Sequence, residues 1–251
     1  MNDPLQSISI PALAISAIPA IIVMGILYRW AVNPGTAVHA VARMIAQLFI
    51  VGYVLTFIFA SNSSLVTMGV LVVMATAAAW ISMRPLQRSS RRDYLLALLA
   101  ICIGGVSTLG LISGLVFEIT PWFAPRFLIP LAGMIFASCM NTVSLTAERF
   151  WAERDRGQSY TEARHAALNA ALIPMINSLF AVGVVSLPGM MTGQILSGIS
   201  PLVAARYQIV VMFMLFGASG LAAVAYLLLT RAYSRRAPAG GTFAPDTADD
   251  R

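Results

Sequence analysis

Seven stretches of this chain run for roughly twenty residues with almost no charge, the length that carries an α-helix across a hydrocarbon layer about 30 Å thick. They span residues 8–30, 44–60, 65–83, 94–117, 127–146, 172–198 and 207–230. The composition agrees. The 251 residues are 59% hydrophobic and 10% charged, whereas a soluble domain is about a quarter charged. The expected fold is therefore all-α: a polytopic membrane helical bundle of about seven transmembrane helices. Residues 1–236 form one transmembrane domain with little room for a soluble one. Residues 237–251, rich in Pro, Gly, Ala, Thr and Asp, read as a disordered tail.

All sixteen basic residues are Arg, and their placement carries orientation. Arg29 and Arg43 follow the first run. Arg84, Arg88, Arg91 and Arg92 follow the third, and Arg149, Arg154, Arg156 and Arg164 follow the fifth. Arg231, Arg235 and Arg236 follow the seventh, while the alternate connections hold only Arg126 and Arg206. Cytoplasmic loops collect Arg and Lys. The N-terminus is thus expected outside and the C-terminus in the cytoplasm, and seven crossings have the matching parity. The net charge of +6 is then an orientation signal. It calls for no nucleic acid and for no acidic partner beyond membrane lipid.

Several chemistries are disfavoured. A P-loop needs a lysine beside the phosphates, and the chain has none, so it binds no ATP in that way. No cofactor bound by the chain is expected. Cys102 and Cys139 lie inside apolar runs and read as small buried hydrophobes. His39 and His165 stand alone and are placed in loops. No Cys/His spacing suits a metal. No carboxylate pair or nucleophile–base pair suggests an enzyme, and intramembrane carboxylates of the kind proton-coupled transporters use are missing from the runs.

The longest internal connection is 147–171, with Glu153, Arg154, Asp155, Arg156, Gly157, Glu162 and Arg164. Helix formers fill 161–172, Gly157 interrupts, and Ser159 or Thr161 can cap a second helix. The expectation is helix, turn and helix, either a solvated connector or a docking surface for a cytoplasmic partner.

The sixth run is apolar yet carries Pro174, Pro188, Gly189, Gly193 and Gly198. Helix breakers at membrane depth are tolerated where protein or a water-filled cavity satisfies the freed backbone. Among polar and soft groups inside the runs, Gln47, Asn141 and Gln194 are the leading candidates for a translocation path. Asn177, Met134, Met190 and Met191 are further candidates. Thioethers favour soft metals, but methionine also fills gaps, so no metal site is assigned. Gly110-x-x-x-Gly114 and Gly189-x-x-x-Gly193 are expected to pack closely against other helices.

Three blocks resemble a known family. The first runs Ala170-Ala171-Leu172-Ile173-Pro174, Gly183-Val184-Val185-Ser186-Leu187-Pro188-Gly189-Met190-Met191-Thr192-Gly193-Gln194-Ile195-Leu196-Ser197-Gly198, Pro201 and Ala205-Arg206-Tyr207-Gln208. The others are Arg43-x-x-Ala46-Gln47-Leu48-x-x-Val51-Gly52-Tyr53 and Ile129-Pro130-Leu131-Ala132-Gly133-Met134-Ile135. Together they resemble the FetB-like family, bacterial ABC-transporter permeases linked to iron export, with plant relatives in aluminium tolerance. The likeness covers most of residues 40–230. One departure is the stretch 155–163, which looks shortened against the family's loop.

The resemblance implies a permease in the bacterial inner membrane, a homodimer, and a separate cytoplasmic ABC ATPase subunit carrying ATP and Mg. It implies export of iron or another metal, and 147–171 as the coupling element. The runs offer no hard-metal ligands, so a chelated cargo fits better. Other readings are a permease of the same architecture for a small organic or lipid-like solute, and a membrane scaffold that transports nothing.

Overall fold

The computed structural model describes residues 9–30, 34–61, 63–86 and 90–234. The proposed tail at 237–251, and Arg88, Arg235 and Arg236, lie outside them. The chain divides into two compact units, Met1–Ser61 and Asn62–Arg251.

The first unit is helical. Helix α1 spans Ile10–Ser16 and is capped by Ser9, whose hydroxyl accepts the Ala12 N–H. Helix α2 spans Ile18–Arg29 and α3 spans Pro34–Ala60. Helix α3 starts ten residues before the expected run, because residues 34–43 contain no strong helix breaker after Gly35. His39 and Arg43 therefore sit on a helix, not in a loop. No described residue of this unit is buried, and large side chains such as Phe49 and Phe57 face outward.

The second unit holds the core. Helix α4 spans Ser64–Ser82. A long helix follows from Arg91: α5 (Arg91–Ile101), a π turn (Cys102–Val106), α6 (Ser107–Leu111) and a second π turn (Ile112–Val116). Ser90 and Asp93 close its start with a reciprocal capping box. Then come α7 (Pro125–Asp155), α8 (Tyr160–Ala181), α9 (Gly189–Leu196) and α10 (Pro201–Ser234). Helix α7 is central and packs on α4, α8 and α10. The core draws on Ile101, Ile135, Val143, Met214 and Tyr226, with many alanines between them. Among the described residues there is no strand; one isolated bridge pairs Val182 with Ser186.

Close backbone approach occurs at a place the glycine spacing did not mark. A Cβ on Gly104 would lie 2.5 Å from the Ala218 carbonyl oxygen and 2.6 Å from the Ala222 nitrogen. Gly104 sits in the first π turn, where α10 presses directly on the backbone. By contrast, Gly110, Gly114, Gly189 and Gly193 meet nothing within 4 Å. Among the described residues of the second unit, neither GxxxG pair is a site of close helix packing. Across the core, the Ser138 and Ser219 hydroxyls share a 2.7 Å hydrogen bond that ties α7 to α10.

Six helical runs among the described residues are long and apolar enough to cross a membrane: Ile10–Arg29, Gly35–Ala60, Ser64–Ser82, Arg91–Val116, Pro125–Asp155 and Pro201–Ala232. The expected sixth crossing, 172–198, differs. It is shared by the end of α8 and by α9, with an unwound stretch at 182–188. Gly183 takes φ +83, which favours glycine, and Pro188 starts α9 as its N-cap. Pro174 does not break α8; the helix runs through it, and the Pro174 carbonyl accepts the Ser178 hydroxyl at 2.9 Å.

Candidate functional site

The charged connection 147–171 is almost wholly helical. Helix α7 continues to Asp155, and α8 begins at Tyr160. Gly157, at φ +83, makes the reversal between them. The Gly157 N–H donates to the Arg154 carbonyl at 3.0 Å, and the Gln158 N–H donates to the Glu153 carbonyl at 3.2 Å. The Arg154 guanidinium donates to the Gln158 carbonyl at 2.9 Å. Orphan carbonyls at the end of α7 are thereby satisfied within the turn.

Each charged residue of the turn has a definite place. Glu153 is buried and pairs with Arg149 at 2.7 Å and Arg156 at 3.0 Å. It therefore organises the end of α7, although the sequence placed it in a solvated connector or docking surface. Ser159 is the cap of α8: its hydroxyl accepts the Glu162 N–H, and Glu162 accepts the Ser159 N–H at 3.0 Å. The Ser159 hydroxyl also donates to Glu162 at 2.8 Å. These bonds hold the Glu162 carboxyl below its usual pKa. Asp155, Arg156, Gly157, Gln158 and Ser159 form the exposed tip.

The tip stands on an aromatic base. The Tyr160 hydroxyl donates to the Leu227 carbonyl of α10 at 2.9 Å. The Phe150 ring meets Trp151 and Tyr160 edge-on, at 5.2 and 5.7 Å. Trp151 Nε1 donates to the Tyr226 hydroxyl at 3.3 Å. Arg231 and Arg164 lie over the Tyr160 ring, at 4.9 and 5.8 Å. Sequence reasoning passed over these aromatics. The available signal was Trp and Tyr at the junction of apolar and charged stretches, the pattern of a membrane–water interface.

The second part of the site is the interrupted helix. Beyond the break, α9 packs on α10. Met190 packs against the core, and Met191 and Gln194 are half-buried. The Gln194 side-chain oxygen is buried without a hydrogen-bond partner, and so is that of Gln208 on α10. Gln208 is 6% exposed. It lies at the edge of the last apolar run and was not singled out from the sequence. Leu187 is exposed, Gly189 opens α9, and Gly198 follows its end at φ +87.

The other candidates are not gathered there. Met134 is half-buried on α7, whereas Asn141 on α7 and Asn177 on α8 are exposed. Gln47 is exposed on α3, its amide oxygen set toward the Arg43 guanidinium at 3.1–3.2 Å by hydrogen-bond logic. His165 is on α8, where its Nδ1 lies 3.3 Å from the Asn169 amide nitrogen. Among the described residues no three His, Cys, Asp or Glu side chains come together as a metal site.

Residues 10–234 match the uncharacterised protein family UPF0014. The chain belongs to this family. It is a multi-pass membrane protein with the UPF0014 pattern across both units. A UPF0014 membrane protein of Synechocystis is 36% identical over 208 residues, covering 76% of this chain and 80% of the relative. The probable iron export permease protein FetB of Escherichia coli is 34% identical over 214 residues, covering 78% and 81%. The protein ALUMINUM SENSITIVE 3 of Arabidopsis thaliana is 32% identical over 206 residues, covering 76% and 74%. No solved structure matches.

Proposed function

We propose that this UPF0014 protein is the membrane-spanning permease subunit of an ABC-type exporter in the bacterial cytoplasmic membrane, driven by ATP hydrolysed on a separate subunit. The observation that carries this reading is the α7–turn–α8 unit. Its exposed, charged tip is rigidly capped and continues, without a flexible joint, into the helix that breaks at 182–188. A push on Asp155–Ser159 would travel along α8 to the unwound stretch. The tip would face the cytoplasm, following the arginine distribution. The chain itself would catalyse nothing.

The cargo is inferred from relatives whose printed names point to iron export and aluminium sensitivity. The chain offers amide and thioether groups on α9 and α10, namely Gln194, Gln208, Met190 and Met191. Such a set suits a metal that arrives with its own ligands better than a bare hard ion. Two copies of the chain would enclose the path, with the outward apolar faces of the first unit available for that contact.

The test is co-expression with a candidate ABC ATPase subunit from the same organism, followed by purification and reconstitution into vesicles. Association, and ATP-dependent movement of iron or another metal, support the reading. Failure of the ATPase to associate favours a scaffold, and ATP-driven movement of an organic solute alone favours the other permease.

A further inference from the structure

A groove of about 570 Å³ opens between α8 and α10 on the flank of the turn. Its size falls within the range of small-molecule sites, about 300–1,000 Å³. The groove has a mixed lining. Thr161, Glu162, Arg164, His165 and Asn169 of α8 supply its polar lining, and Leu168 with Val224, Leu227 and Leu228 of α10 supplies its apolar lining. Val224 and Leu228 belong to the apolar run Pro201–Ala232, yet they are 41% and 53% exposed.

The groove lies where α10 passes from its apolar run to Arg231. Trp151, Tyr160 and Tyr226 lie around the level where α10 passes from apolar to charged sequence. Charge is concentrated on the polar side. The Arg164 and Arg231 guanidinium groups both lie over the Tyr160 ring, and the Tyr160 hydroxyl is fixed on Leu227. The Glu162 carboxylate is turned back onto Ser159. The groove is lined by one guanidinium, Arg164, and one carboxylate, Glu162, with Arg231 standing beside it across the Tyr160 ring; because the carboxylate is committed to the Ser159 cap, the two guanidinium groups leave a net positive charge there.

We propose that this groove binds one anionic phospholipid from the leaflet at the turn. Its phosphate sits at Arg164, beside His165 and Asn169 and within the field of Arg231, and an acyl chain lies along Leu168, Val224 and Leu228. Planar guanidinium groups bind phosphate in forked geometry. A soluble protein can reach the exposed tip, but Val224 and Leu228 lie within a membrane-crossing run, where an acyl chain is the natural occupant. The proposal does not depend on which solute the chain moves.

The experiment uses the full chain in bilayer discs of phosphatidylcholine, with and without phosphatidylglycerol. Native mass spectrometry reads the phospholipids retained, and thermal unfolding reads their effect. Phosphatidylglycerol should be retained over phosphatidylcholine and should raise the melting temperature. Removing one cation near the surface, in Arg164→Gln, should weaken that preference roughly fivefold. Arg164→Lys should restore part of it. Leu228→Trp, which adds bulk to the apolar lining, should reduce retention of both lipids, while Arg126→Gln at the start of α7 should leave the preference unchanged. Equal retention of the two lipids by the unaltered chain would overturn the proposal. So would an Arg164→Gln protein that folds and keeps the full preference, or a groove occupied by the partner ATPase in cross-linking.

Discussion

The Tyr160 hydroxyl donates to the Leu227 carbonyl, 2.9 Å away on α10 and sixty-seven residues later in sequence. It fastens the first residue of α8 to the last turns of the chain's final helix. Because the phenol is buried, Tyr160→Phe should cost about 0.5–1.5 kcal/mol, the usual net value of one such bond. Thermal unfolding in detergent measures that cost. If the tip transmits force, the same variant should also lower transport per ATP hydrolysed; coupling equal to the parent's would speak against that role.

The reversal at Gly157 rests on its positive φ. An alanine there meets no neighbour, since nothing lies within 4 Å, so the penalty is conformational only. Gly157→Ala should destabilise by roughly 1–2 kcal/mol, and Gly157→Asn by less, because asparagine tolerates the left-handed region. A larger loss for asparagine than for alanine would show that the turn is held by something other than backbone strain.

Gly104 is the opposite case, limited by space. Gly104→Ala drives a methyl into the α10 backbone at 2.5 Å, and backbone cannot move aside as a side chain can. Overpacking of this kind costs roughly 1–3 kcal/mol or more. Gly110→Ala, where nothing lies within 4 Å, should be neutral or slightly stabilising. Comparing the two melting temperatures checks the contrast.

Glu162 supplies a pH signature. Its carboxyl is held below the ordinary glutamate value of 4.5 by Ser159. The folded chain therefore binds that proton more weakly than the unfolded chain does. The contribution is complete above the unfolded value and is lost as pH falls through the folded one. Glu162→Gln preserves the capping geometry but does not titrate. The stability advantage of the parent over this variant should shrink on acidification below pH 4.5, and an advantage constant with pH would refute the assignment.

Gln208 tests the path. A buried amide oxygen without a partner destabilises a core, so Gln208→Met should leave the melting temperature unchanged or raise it. If Gln208 meets the cargo, transport should nevertheless fall. A variant that keeps full transport would mark the side chain as filler.

Much of this was readable from the residue order. Charge-free runs announced the helices, and a capping residue at Ser159 or Thr161 announced the start of α8. Local chemistry decides such features. The sequence was less informative where the outcome depends on partners distant along the chain. Gly104 resembles any other glycine until Ala218 is beside it, and Glu153 resembles a surface charge until Arg149 and Arg156 enclose it. The break was placed at Pro174 as readily as at Pro188, because proline marks a weakened helix without saying whether packing will carry the helix through. Gln208 sits where a run meets its loop, and only burial distinguishes it from an interfacial glutamine.

The unwound stretch at 182–188 has one further consequence. The Ala181 carbonyl accepts the N–H groups of Val184, Val185 and Ser186, at 3.2, 2.8 and 3.1 Å. The end of α8 is thus sealed by its own following residues and needs neither water nor ligand to stay open. The gap is part of the resting architecture, formed when the chain folds. Lengthening α8 by one more turn would first require that knot of hydrogen bonds to be untied.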